Sequence, residues 1–436
     1  MSERLMRGPL LHCLSEPDKD AAAVDYQPDA LLWIQEGLVH KMGSFELMAK
    51  ELTSAQLSKV EDCSQYLMVP GFVDCHIHYP QTEMIAAYGA QLLEWLNTYT
   101  FPVESTFNDP VKAAAVSKVF INQLLNNGTT TALVFCSVHP ESVDALFTEA
   151  QKYNMRIIAG KVMMDRNAPE NVLDTAQSSY DQSKQLIQRW HGVDRLQYAI
   201  TPRFAPTSTD EQLKAAGRLL AEYKGVYIHT HLSENVDEIE WVKELFPKAK
   251  NYLDVYDQAG LLGKRSVFAH GIHLCDTECE RLAQTDSAIA HCPTSNMFIG
   301  SGLFPMKRLQ DYGIKIGMGT DVGGGTSFNM LQTLADSYKM QQLKGNNLSP
   351  EQSFYLATLG GAKALDMDDK IGNFIIGKEA DFLLLDPNAT DLLKFRTSHC
   401  EGWRDLLFVL QTLGDDRVIA QTNVMGVANH KCMEKR

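Results

Sequence analysis

The sequence predicts an α/β protein: a (β/α)8 barrel accompanied by a small β-sandwich domain formed from both termini. Three observations carry this expectation. From about residue 68, short β-branched or apolar runs alternate with longer amphipathic ones, which is the pattern of a parallel sheet covered by helices. Eight such pairs fit into roughly 300 residues, the scale of a closed barrel. The two ends of the chain lack this alternation and read as short strands and turns.

Taken in order, the candidate strands are "GFVDCHIH", "TTTALVFCS", "MRIIAGKVMM", "RLQYAITPRF", "VYIHTH", "SVFAH", "SAIAHC" and "IKIGMGTD". Helical patterns fall between them, beginning with "VKAAAVSKVFINQLLNNG", which stops at Gly128 as helices commonly stop at glycine. "ESVDALFTEAQKYN", "TDEQLKAAGRLLAEY", "NVDEIEWVKELF" and "TECERLAQ" follow. The flanks carry "ALLWIQEGLVHKMG" at one end and "IGNFIIGKEADFLLLD" and "DDRVIAQTNVMGV" at the other. The expected division assigns residues 1–67 and 369–436 to the sandwich and 68–368 to the barrel.

With 436 residues, 44% of them hydrophobic, the chain can bury a large core. No stretch approaches the roughly 18 apolar residues of a membrane span, and the first twenty residues are too acidic for a signal peptide, so a cytoplasmic location is expected. A formal charge of −14 argues against nucleic-acid partners, which reward clustered Lys and Arg. The nine cysteines, Cys432 among them, show no disulfide or zinc-finger spacing and read as reduced thiols.

Function enters through "LMVPGFVDCHIHYPQ". Residues i and i+2 of a strand share a face, so His76 and His78 should project together at the barrel's C-terminal mouth, with Cys75 and Ile77 turned towards the helices. Taken alone, such a pair is as compatible with hydrogen-bonded core histidines as with a metal site. Later strand ends add His229, His231, His270 and Asp321. Several imidazoles and a carboxylate around one rim suit Zn2+ or Fe2+.

Over nearly its whole length the chain resembles the amidohydrolase superfamily, through "PGFVDCHIH", the later histidines, the aspartate and "IGNFIIGKEADFLLLD". "HIHYPQ", "LLEWLNTYTFP", "NGTTTA", "TPRF", "HTHLSEN", "AHCPTSN" and "GMGTDVGGG" are similar to its guanine-deaminating branch. The resemblance implies hydrolysis of guanine to xanthine and ammonia by a homodimer. It implies one Zn2+ per subunit, with Fe2+ possible, held by His76, His78, His231 and Asp321. His229 would lie in a second layer. Strand four ends in Thr201-Pro202-Arg203, without the lysine that two-metal members need, and Lys161 reads as structural.

Catalysis would fall to Glu234 as proton donor, Asp321 as acceptor of a proton from water, and His270 as an orienting group. Substrate contacts implied by the resemblance are His78, Gln81, Arg203, His231, Glu234, His270 and Asp321, while Trp95, Phe101 and Phe204 could supply apolar or stacking walls and could equally be core. Arg203 and Gln81 would read the ring edge, as arginine reads guanine elsewhere. Without the resemblance, a surface ion pair and a solvated amide describe these two equally well. The glycine run after Asp321 should let backbone approach the site, and "PTSN" (293–296) should brace it or cap a helix. The competing readings are a related deaminase for another purine, a pterin or a triazine, and a non-catalytic scaffold. Cytidine-type zinc deamination is excluded by the missing Pro-Cys-x-x-Cys pattern, without which a His-x-Glu such as His139-Pro140-Glu141 has no partner ligands.

Overall fold

The computed structural model of the chain describes residues 3–17, 22–89 and 91–431. All eight expected strands form one parallel sheet in sequence order: Phe72–His78, Thr129–Phe135, Arg156–Gly160, Gln197–Pro202, Tyr227–Leu232, Ser266–His270, Ala288–His291 and Lys315–Met318. The short Val162–Met163 strand continues the third and pairs with the fourth. The sheet closes where the His78 N–H donates to Val322 O (2.8 Å) and the Asp321 N–H donates to His76 O (2.9 Å). That seam joins the first metal-type histidines to the aspartate beyond strand eight, so barrel closure itself assembles the site.

The helix Pro110–Asn126 illustrates how sequence sets an element. The Asp109 side chain caps its start and Pro110 occupies the first turn, where the missing N–H costs nothing. Ala113, Val116, Phe120, Ile121 and Leu124 form its buried stripe. Gly128 ends it at φ +80, and a Cβ there would meet Leu383 Cδ1 at 2.7 Å. Glycine is therefore required both for the backbone turn and for the close approach of the terminal sheet.

The chain ends pair with one another, as expected. They build one eight-stranded mixed sheet in which Leu67–Pro70 lies between Glu3–Cys13, parallel to it, and Phe382–Leu385, antiparallel. The "KEAD" motif ties this sheet to the barrel: Arg195 pairs with Glu379 (2.6 Å) and Asp381, and Arg156 also binds Glu379. Between its strands the tail carries two helices that the strand-and-turn reading passes over, Asp391–Thr397 and Trp403–Leu413. The second buries Leu407 and Leu410, three apart, a helical rather than a strand period.

Cys75 requires a correction. The pairing of strands one and two shifts register between Asp74 and Ile77. Ile77 packs in the large helix-facing cluster, whereas Cys75 joins Val73, Ala288, Ala290 and Cys292 in a different one. The period-2 rule fails across such an irregularity. The cysteines among the described residues are all free, and Cys432 lies outside those residues. No helix among the described residues is long and apolar enough to cross a membrane.

Candidate active site

The strand ends deliver His76, His78, His231, His270 and Asp321 to one point. Nε2 of His76 lies 3.2 Å from Nε2 of His78 and 3.1 Å from Oδ1 of Asp321. Nε2 of His78 is 3.3 Å from Nε2 of His231 and 3.4 Å from the same aspartate oxygen. Ligand atoms about 2.0–2.1 Å from a tetrahedral ion stand about 3.3 Å apart, so this spacing fits a single divalent cation. Potential ligand atoms converge in two further sets, His76 with His231 and His270, and His76 with Cys292 and Asp321. Burial pushes the pKa of the Cys292 thiol well above the ordinary value.

The surroundings keep the imidazole lone pairs available. The His231 Nδ1–H donates to Arg203 O at 2.7 Å, which leaves Nε2 unprotonated and facing the cluster. Nδ1 of His76 meets Nε2 of His229 at 2.7 Å, so His229 stands one layer behind, as expected. Burial pushes the pKa of His78 down to about 3 and those of His229 and His231 well below the ordinary value. Burial opposes ionisation of Asp321, yet His76 and His78 outweigh it and hold the carboxyl well below its ordinary range. The result is a set of neutral imidazoles and a carboxylate, which is the protonation state a cation needs. Asp321 and His270 both have positive φ (52 and 72), backbone strain located where side chains must be re-aimed from strand ends.

Glu234 is placed beside the cluster. Its Oε1 accepts from Ser301 Oγ at 2.9 Å, its Oε2 lies 3.4 Å from His270 Nε2, and its N–H donates to Glu238 Oε2 at 2.9 Å. Burial, helped by repulsion from Asp321, pushes the Glu234 carboxyl up to about 8. At neutral pH it therefore carries a proton it can donate. His270 is oriented by Asn296, whose Oδ1 accepts from Nδ1–H at 2.9 Å. The "PTSN" segment thus braces the site through Asn296, from the helix Pro293–Phe298.

A cavity opens over this point. The expected substrate contacts His78, Gln81, Arg203, His231, Glu234, His270 and Asp321 all line it, as do Trp95 and Phe204. Leu92, Leu96 and Ile299, which the sequence does not single out, complete the wall together with Gly324 of the glycine run. Phe101 is displaced from the wall and lies under the Arg203 guanidinium, 5.3 Å from its ring centre. The glycine run does admit close approach: a Cβ on Gly324 would meet Ser295 Oγ at 2.8 Å. Lys161 is held by Asp174 (2.5 Å) and Val162 O, which agrees with a structural part.

A closed parallel barrel whose C-terminal mouth carries a cation-binding cluster, with a protonated acid beside it, defines a metal-dependent hydrolase. The chain belongs to the amidohydrolase family, whose pattern matches residues 67–428. Among individual proteins, guanine deaminase of Escherichia coli (strain K12) is 56% identical over 413 residues, covering 95% of this chain and 94% of that protein. A solved structure of E. coli guanine deaminase matches at TM-score 0.96 and 54% identity, covering 98% and 99% of the two chains. Guanine deaminase from C. acetobutylicum, solved with guanine in its active site, matches at TM-score 0.89 and 28% identity, covering 98% and 100%.

Proposed function

We propose that this chain hydrolyses guanine to xanthine and ammonia in purine breakdown. One observation carries the reading: Arg203 and Gln81, an edge-reading pair for a purine with adjacent acceptors, share one cavity with the cation cluster and the protonated Glu234. His76, His78, His231 and Asp321 would hold one Zn2+, or Fe2+ in its place. When bound, the ion supplies Lewis acidity that makes water nucleophilic near pH 7. Asp321 would accept a proton from water activated there. Glu234 would donate its proton to the ring nitrogen next to the carbon under attack, take up the proton that the added hydroxyl releases as the carbonyl forms and pass it to the departing amine, and the proton on Asp321 would then restore Glu234. His270, fixed by Asn296, orients the water. Trp95 and Phe204 flank the ring, and Arg203 with Gln81 hold its edge.

Three further parts belong to this reading. The catalytic unit is residues 68–368, with 1–67 and 369–436 as its companion domain, except that the strand Leu67–Pro70 at the boundary pairs within the companion's sheet. The protein works as a homodimer in the cytoplasm. The net charge of −14 disfavours nucleic acid and favours a small neutral base.

The test is an ultraviolet assay of metal-replete protein with guanine beside adenine, cytosine and an s-triazine, with Glu234→Gln as control. Xanthine from guanine alone, lost in the control, is the expected result. Loss of the amine from another base with guanine untouched would remove the roles given to Arg203 and Gln81.

A further inference from the structure

We infer that Glu104 is the positioning residue that fixes how Arg203 and Gln81 meet the substrate; the inference rests on the guanine reading above. Glu104 ends the short helix Phe101–Glu104, is 0% exposed and stands behind the cavity wall. A carboxylate in so apolar a setting persists only when fully paired. Its two oxygens are divided between the two recognition residues. Oε1 accepts from Gln81 Nε2 at 3.0 Å, and Oε2 accepts from the Arg203 guanidinium at 2.6 Å.

This division has three consequences. First, it decides which way the Gln81 amide points. Gln81 Oε1 accepts the Gly323 N–H at 3.2 Å, so a turned amide would set its oxygen against the carboxylate and its NH2 against that N–H. The amide is held in one sense, with one N–H and one lone pair left for the ring edge. Second, the carboxylate and the Phe101 ring below fix the guanidinium plane, which frees its remaining donors to face adjacent acceptors. Third, the Arg203–Glu104 pair is electrically neutral, so a neutral base meets no unbalanced cation. Without the carboxylate, the cavity would favour anionic purines over guanine.

The test compares Glu104→Gln and Glu104→Asp with the unmodified protein, all metal-replete, on guanine and on 2-aminopurine, which lacks the oxygen Arg203 would read. In Glu104→Gln the KM for guanine should rise at least about tenfold with kcat within about threefold. The preference for guanine over 2-aminopurine should fall by a similar factor, and metal content should stay unchanged. Glu104→Asp keeps the charge but withdraws it by one methylene, so its KM should lie in between. KM and preference within twofold of the unmodified protein, or a fall in kcat alone, would overturn the inference. Should Glu104→Gln fail to fold, Glu104→Asp decides by the same two quantities. Should the unmodified protein leave guanine untouched, the substrate reading fails separately. Glu104 is then judged by crystal structures of the aspartate variant: a shifted guanidinium or turned amide supports its role, and unmoved side chains reject it.

Discussion

Ser301→Ala should move the alkaline limb of activity to higher pH. Ser301 donates to Glu234 Oε1 at 2.9 Å, and a hydrogen bond to the charged form of an acid favours ionisation. Removing it therefore raises the pKa of Glu234, which burial already pushes up to about 8. A hydrogen bond to a charged group contributes about 1.5–3 kcal/mol, but the neutral acid also accepts one, so the difference between the two forms is about 1.4 kcal/mol. That corresponds to a shift of about one pKa unit upward. Because the donor must be protonated, the limb of kcat/KM that falls as pH rises moves up by about the same amount. At neutral pH the rate drops about tenfold, through lost orientation of the carboxyl. The assay is a pH profile of kcat/KM on guanine for both proteins, in which ionisation of the substrate is common and cancels. An unmoved limb, or one moved to lower pH, would refute Glu234 as the proton donor.

Three other changes probe separate parts of the structure. Asn296→Leu removes the acceptor for His270 Nδ1–H, so kcat should fall about 10- to 100-fold with KM within about threefold, read by steady-state kinetics. Gly324→Ala sets a Cβ 2.8 Å from Ser295 Oγ and 2.9 Å from Ile299 Cδ1, which should cost about 1–3 kcal/mol and raise KM, seen by thermal melting and kinetics together. Arg195→Met leaves buried Asp381 without its arginine and partly buried Glu379 with Arg156 alone, and should destabilise the fold by about 3–5 kcal/mol, measured by denaturant unfolding, while kcat of the folded fraction holds.

The barrel was legible because each strand is a short apolar run set against an amphipathic helix, and period and length tell the two apart. That His76, His78, His229, His231, His270 and Asp321 gather at one rim was legible because strand ends of a barrel share it, whereas the choice of His76, His78, His231 and Asp321 as ligands came from the resemblance to amidohydrolases. The supporting residues were not. Glu104 lies in a chain of short helical turns, Leu92–Asn108, without a clean period, and its partner Arg203 is 99 residues away. Ser301 lies outside any helix or strand, so only the fold brings its hydroxyl to Glu234. Asn296 signalled a brace or a cap, and the distance to His270 decided between them. Cys75 was assigned the wrong side because a register shift leaves no mark in the pattern of residue types. The tail helix Trp403–Leu413 was passed over because the strands on either side carry the stronger signal.

The proposed hydrolysis of guanine requires one cation, held by His76, His78, His231 and Asp321. The most direct measurement removes metal with a chelator and titrates Zn2+ back while following xanthine. Activity absent from the stripped protein, then rising linearly to a break at one equivalent per chain, is the predicted result. A break at two equivalents, or full activity without added metal, would contradict it.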